Sequence, residues 1–238
     1  MIRPMDDAPP SRPAAVIFDA YGTLLDVHAA MARHAARLGP RWREVSAAWR
    51  QKQLEYTWVR SLTGPAHHED FFLCTRDALD YVLARYGIAD AALREDLLLA
   101  YRRLDAYPEV PAVLLALRGA GVPAAILSNG APRMLDEACE AAGIAGLLDV
   151  VLSVEEVGVF KPDPRVYRLA TRHFGAPPEM MAFVSANPWD TQAALANGFR
   201  AVRVNRGGEP DEYGLRDAGV PELRDLAPLP ALLHLGTT

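Results

Sequence analysis

Five short apolar runs recur along the chain, each bounded by Gly, Pro, Asn or Asp and rich in small or β-branched residues. They are 14–18 (AAVIF), 123–127 (PAAIL), 150–152 (VVL), 181–185 (MAFVS) and 200–204 (RAVRV), with helical stretches between most successive pairs. Continuous apolar runs of this length fit strands buried on both faces, and strands that alternate with helices build a parallel sheet covered on both sides. The pattern predicts a doubly wound parallel sheet, an α/β fold of the Rossmann-like type.

One interval breaks the alternation. Residues 27–107 contain no good strand and read as several helices, one over 45–61, where Val45, Trp49, Lys52, Tyr56 and Val59 repeat every three to four residues. Further helices fit 70–86, closed by Gly87, and 91–105, and the Pro108 and Pro111 pair marks the return to the sheet. This divides the chain into an α/β core of 14–26 and 108–238 and a helical insert of 27–107. The first 13 residues (MIRPMDDAPPSRP) are polar and rich in proline, which predicts a disordered leader, and 226–238 reads as a short closing helix with a frayed end.

Composition excludes several classes. With 238 residues the chain can bury a sizeable core, and 25 basic against 30 acidic side chains give a net charge of −5, which argues against a nucleic-acid partner. No apolar stretch is long enough to span a membrane, and the N-terminal segment lacks a secretory signal. Cys74 and Cys139 lie far apart without metal-ligand spacing, so a reducing cytoplasm is the expected setting. The adjacent His67 and His68 have no partner at ligand spacing, and Arg41, Arg43, Arg102 and Arg103 read as solvated faces.

In an open α/β sheet, ligands sit beyond the carboxyl ends of the strands. The residues found there are Asp19 to Leu24 after the first run, Ser128-Asn129-Gly130 after the second, Lys161-Pro162-Asp163 in the loop after the third, and Ser185 to Asp190 after the fourth. Any one of these reads most simply as a turn or helix cap. Together, carboxylates, a lysine, serines and asparagines from four segments converge on one edge.

Taken in order, FDAYGTLLD, LSNG, KPDPRVY and VSANPWD, with an insert after the first, resemble the four motifs of the haloacid dehalogenase superfamily. Phosphatases of that superfamily carry a second aspartate two residues after the first and an acidic fourth motif. Here Tyr21 stands in place of the acid, and Ser185 and Asn187 are neutral. A phenol is a poor proton donor at neutral pH, and Asp19 and Asp190 with Lys161 nearby make a poor magnesium cage. These departures, and the insert segment WRQKQLEY at 49–56, resemble the L-2-haloacid dehalogenase subgroup.

The resemblance implies a 2-halocarboxylate substrate, halide as product, no cofactor, no metal and a homodimer. It implies that Asp19 displaces halide from C2 with inversion and that the resulting ester is hydrolysed. Ser128, with the backbone amides of Ala20 and Tyr21, would receive the substrate carboxylate, and Arg50 with Asn129 the departing halide, while Arg60 reads as surface. Lys161 would orient Asp19 with Thr23, Ser185 and Tyr167 in support, and Asp190 with Asn187 would position the hydrolytic water, the proton going to Asp190 or to Lys161. Tyr21, Gln51, Leu54 and Trp189 would line an apolar pocket, joined by an aromatic side chain at Phe71 or Phe72. Trp58 is an exposed aromatic suited to the dimer contact. A magnesium-dependent phosphatase or phosphonatase of the same superfamily, or an inactive binding protein on this fold, are the competing readings.

Overall fold

The computed structural model describes residues 12–235. Within them the five expected runs are strands, β1 (Ala15–Phe18), β2 (Ala124–Ser128), β3 (Val150–Ser153), β4 (Met181–Ser185) and β5 (Arg200–Val204). A further strand, β6 (Glu222–Leu223), extends the sheet edge. Two residues carry no periodicity, and this strand exists only because Pro221 and Leu223 carbonyls accept from Arg203 and Asn205 of the neighbouring segment. All pairs are parallel, in the order β3-β2-β1-β4-β5-β6.

Strand β1 is central, with Ile17 between Ala125 and Phe183, and every residue of β1, β2 and β4 is buried. The chain runs outward from β1 through β2 to β3, then returns on the other side of β1 as β4. The order therefore reverses between β1 and β4, and a crevice opens beyond their carboxyl ends at such a reversal. Asp19 follows β1 and Asn187 follows β4, so both fall at that crevice.

Between β1 and β2 lie α1 (Val27–Ala32), α2 (Ala35–Leu38), α3 (Trp42–Thr63), α4 (Phe71–Arg85) and α5 (Ala91–Tyr101). Asp26, Asp70 and Asp90 cap α1, α4 and α5 by accepting first-turn N–H bonds. Gly87 follows α4 at φ +69°, where a side chain would be strained. The helix expected over 91–105 stops at Tyr101, because the next residues form the return connection. The Asp26 N–H donates to the Asp105 carbonyl at 2.9 Å, that of Tyr107 donates to Leu24 at 3.0 Å, and Leu25 bridges Ala106. The two connections to the insert thus run side by side, next to the loop that carries Asp19.

In α3 the buried face is Val45, Ser46, Trp49, Gln53, Leu54 and Thr57. Lys52, expected on that face, lies half-buried at its margin against Glu55, and Val59 is exposed. The polar members of the buried face are hydrogen-bonded inside the insert, which is why they can leave water. The remaining helices, α6 (Val110–Gly119), α7 (Pro132–Ala141), α8 (Pro164–Phe174) and α9 (Pro188–Ala196), connect the strands, and α10 (Leu229–Leu232) is the closing helix. Residues 1–11 of the expected leader and the expected frayed end at 236–238 lie outside the described residues.

Candidate active site

At the crevice, Lys161 joins two carboxylates. Its ammonium donates to Asp19 Oδ1 at 3.2 Å and to Asp190 Oδ2 at 2.8 Å. Lys161 and Asp190 are wholly buried and Asp19 is 5% exposed. A lysine in that position needs both carboxylates, since a buried charge is tolerated only when paired and hydrogen-bonded. The second oxygen of Asp19 accepts from Thr23 Oγ1 at 3.1 Å and from Asn187 Nδ2 at 2.8 Å. Tyr167 donates its hydroxyl to Asp190 Oδ1 at 2.6 Å. Burial first, and the charge of Asp19 beside it, raise the Asp190 carboxyl above the ordinary carboxylate range, against the pull of Lys161 and Tyr167.

Neighbouring groups hold these side chains in register. Asn129 Oδ1 accepts from the Lys161 backbone N–H at 2.9 Å, tying the end of β2 to the lysine loop. The Ser185 hydroxyl accepts from the Asn187 N–H at 3.1 Å, and Thr23 Oγ1 accepts from Ala186 at 2.8 Å. Ser128 is buried beneath the turn, its Oγ accepting from the Gly130 N–H at 3.1 Å. Gly130 admits no side chain, because a Cβ there would lie 2.8 Å from Leu135 and 3.0 Å from the Tyr21 ring.

The insert supplies the opposite wall. Arg50 donates to Gln53 Oε1 at 2.7 Å, and lies 3.4 Å from both the Tyr101 hydroxyl and the Tyr21 carbonyl, so its guanidinium reaches down to the Asp19 loop. Tyr101 also donates to Gln53 Oε1, and Gln53 Nε2 donates to Thr75 Oγ1 at 2.6 Å. Tyr21 packs between Phe71 and Tyr101, at ring separations of 5.4 and 5.5 Å. Its hydroxyl is buried without a partner, and burial holds the phenol well above its ordinary range. It is therefore a neutral wall and a poor acid. Trp189 meets Trp58 edge-on at 5.6 Å, and both line an open, largely apolar cleft of about 610 Å³ with Phe160 and Tyr213.

Residues 13–198 match the family model for haloacid dehalogenase-like hydrolases. The chain is 44% identical over 220 residues to (S)-2-haloacid dehalogenase 1 of Pseudomonas sp. (strain CBS-3), covering 92% of this chain and 96% of that one. The chain belongs to the haloacid dehalogenase-like hydrolases. Within the family it falls in the L-2-haloacid dehalogenase subgroup and is a dehalogenase-type hydrolase. Two crystal structures extend the likeness to three dimensions. One, described as a dehalogenase, is 41% identical with TM-score 0.89, covering 94% of this chain and 97% of the other. The second is L-2-haloacid dehalogenase from Xanthobacter autotrophicus with chloropropionic acid covalently bound, 35% identical with TM-score 0.81, covering 93% and 98%.

Asp19, Thr23, Lys161, Tyr167, Asn187 and Asp190 form one hydrogen-bonded cluster. Ser185 acts on the Asn187 loop and does not bond Asp19 directly. Ala20 and Leu54 are buried, whereas Gln51 is exposed. The expected pocket glutamine therefore points away from the α3 face that meets the core, and Gln53, two residues on, occupies the buried position. Phe71 is the aromatic residue against Tyr21, while Phe72 lies under Arg102.

Two expected surface residues are not free. Arg60 pairs with Glu69, just before α4, and with Asp77 on α4. Arg102 pairs with Glu137 on α7. Trp58 is half-buried against Trp189. Among the described residues, no group of three or more His, Cys, Asp or Glu side chains is placed to hold a metal ion, and no helix is long and apolar enough to cross a membrane. Sequence reasoning missed Gln53, Thr75 and Tyr101. The available signal was Gln53, a polar residue four positions after Trp49 on an otherwise apolar helical face.

Proposed function

We propose that the chain hydrolyses L-2-haloalkanoic acids to D-2-hydroxy acids through an ester of Asp19. The observation that carries this reading is the buried Lys161 ammonium between the Asp19 and Asp190 carboxylates. A cation fixed by the protein keeps Asp19 charged and oriented without help from solvent, which suits a carboxylate used as nucleophile. In the first step an Asp19 oxygen forms a bond to C2, the carbon–halogen bond breaks, and halide leaves with the bonding pair on the opposite face, inverting C2. Arg50, half-buried over the Asp19 loop, provides positive charge for that halide, and its bonds to Gln53 and Tyr101 fix its direction beforehand.

In the second step water attacks the Asp19 carbonyl carbon and loses its proton to the Asp190 and Lys161 pair. The tetrahedral species collapses by breaking the bond between the Asp19 carbonyl carbon and the former Asp19 oxygen now attached to C2. That oxygen leaves as the product hydroxyl after taking a proton back from the pair, and the oxygen from water restores the carboxylate. The raised position of Asp190 favours its acceptance of a proton. The helical insert acts as a cap over this chemistry, excluding water from the displacement step. Tyr21, Leu54 and Trp189 form an apolar wall for the C3 group, and the substrate carboxylate is received at the Ser128 turn and the backbone of Ala20 and Tyr21.

The test is halide release from separate L- and D-2-chloropropionate in excess chelator, with p-nitrophenyl phosphate and Mg²⁺ run alongside. The expected result is release from the L-isomer alone, insensitive to chelator. Metal-dependent phosphate release without halide would overturn it in favour of a phosphatase.

A further inference from the structure

Besides Arg50, a second arginine outside the four motifs reaches the nucleophile loop. Arg206 follows β5, and its Nη2 donates to the Thr23 carbonyl at 3.0 Å. Its Nη1 pairs with Glu109 Oε1 at 2.7 Å, and its guanidinium carbon lies 3.5 Å from the centre of the Tyr107 ring. Glu109 Oε1 also accepts from the Leu226 N–H. One planar group thus grips three things at once: the loop that bears Asp19, the return connection of the insert at Tyr107, and the start of α6. Arg206 and Glu109 are both largely buried, with side chains 20% and 17% exposed.

Thr23 makes the contact chemically relevant. Its carbonyl is held by Arg206, its N–H donates to Ala20, and its hydroxyl donates to Asp19 Oδ2 at 3.1 Å while accepting from Ala186 at 2.8 Å. Moving the Thr23 peptide therefore moves the hydroxyl that aims one Asp19 oxygen. The same guanidinium stacks on Tyr107, whose N–H donates to Leu24 in the neighbouring connection. We propose that Arg206 is a positioning residue for the displacement step, setting the direction of Asp19 through Thr23 and holding that direction to the position of the insert. The proposal rests on Asp19 being the nucleophile, as argued above. A lysine cannot replace it, since a single ammonium lacks the fork that serves Glu109 and the Thr23 carbonyl together and lacks the flat face that stacks on Tyr107.

The test is first-turnover halide release from L-2-chloropropionate in Arg206→Ala, Arg206→Lys, Thr23→Val and the double variant Thr23→Val/Arg206→Ala, with Asp19→Asn as reference. Arg206→Ala is expected to lower the first-turnover rate constant by about tenfold or more at full burst amplitude, with KM changed by less than about threefold. In the Thr23→Val background the same change should cost less than about threefold, because the route to Asp19 is already cut. Arg206→Lys, the variant expected to fold most readily, should stay impaired even where its melting temperature matches the parent. Full rescue by lysine, an equal loss in both backgrounds, or a loss confined to burst amplitude would each overturn the proposal. Halide release by Asp19→Asn would instead overturn the underlying assignment. An inactive Asp19→Asn beside a fully active Arg206→Ala would overturn only the role of Arg206.

Discussion

The molecule holds two buried polar clusters on either side of one crevice, and they are built differently. On the sheet side, Asp19, Lys161 and Asp190 are ionisable, come from three separate connections at the carboxyl edge of the sheet, and satisfy one another almost without solvent. On the insert side a single charge, Arg50, is held by neutral partners, Gln53 and Tyr101, on helices α3 and α5. Asp19 directly follows the central strand β1, Lys161 lies in the connection between β3 and α8, and Asp190 lies in the first turn of α9. The insert cluster touches the sheet side at the Tyr21 carbonyl, and its position over the crevice follows from how the helices pack. The difference puts mutually paired ionisable groups on the connections of the sheet and a cation held by neutral partners on the insert.

The comparison breaks most sharply at Asp19. Asp19→Asn should lower halide release by about 10³-fold or more, the scale of losing a nucleophile, while the protein still folds with a melting temperature lowered by less than in Lys161→Met, because Lys161 keeps Asp190 as a partner. Single-turnover hydrolysis in ¹⁸O-water should place the label in Asp19 of the parent enzyme before it reaches product. Lys161→Met should abolish activity and also cost about 3–5 kcal/mol in denaturant unfolding, because it strands two buried carboxylates. On the insert side, Arg50→Lys should lower kcat by about 10²-fold without such a stability loss, since a lysine keeps the charge and loses the fixed direction. A stability loss equal to that of Lys161→Met would erase the distinction between the clusters.

A finer test uses pH. The Asp190 carboxyl lies above the ordinary range, so kcat should fall on the acid side as Asp190 takes up a proton, and the Tyr167 hydroxyl opposes that uptake. Tyr167→Phe removes the opposing bond and should move the acid limb of the kcat profile to higher pH. An unmoved limb would assign that limb to another group. The smallest effect is expected at the cysteines: burial pushes the Cys74 and Cys139 thiols up to about 12, so thiol reagents at pH 8 should leave activity unchanged.

The strands and the sheet-side cluster were legible in the sequence because a buried parallel strand writes a continuous apolar run, and ligands gather at its carboxyl end. Asp19, Lys161 and Asp190 could be named from those positions and from the motifs they resemble. The insert was legible as helices but not as a wall. Periodicity chose Lys52 and Val59 for the buried face of α3, whereas packing chose Gln53 and Thr57, whose polar groups are satisfied by hydrogen bonds within the insert. Likewise Gln51 and Gln53 are chemically identical, and only the helix register against α4 and α5 decides which one holds Arg50.

The same division holds for Arg206 and β6. Nothing local marks an arginine in the sequence VNRGG as a neighbour of Thr23, because their contact spans the order of the strands and the path of the insert's return connection. By itself the sequence determined which segments are strands, which residues stand at their ends and the family they resemble, since those depend on short-range pattern. The tertiary structure alone decided which half of an amphipathic helix faces the crevice and which distant charges meet there, because those depend on how whole elements pack against one another.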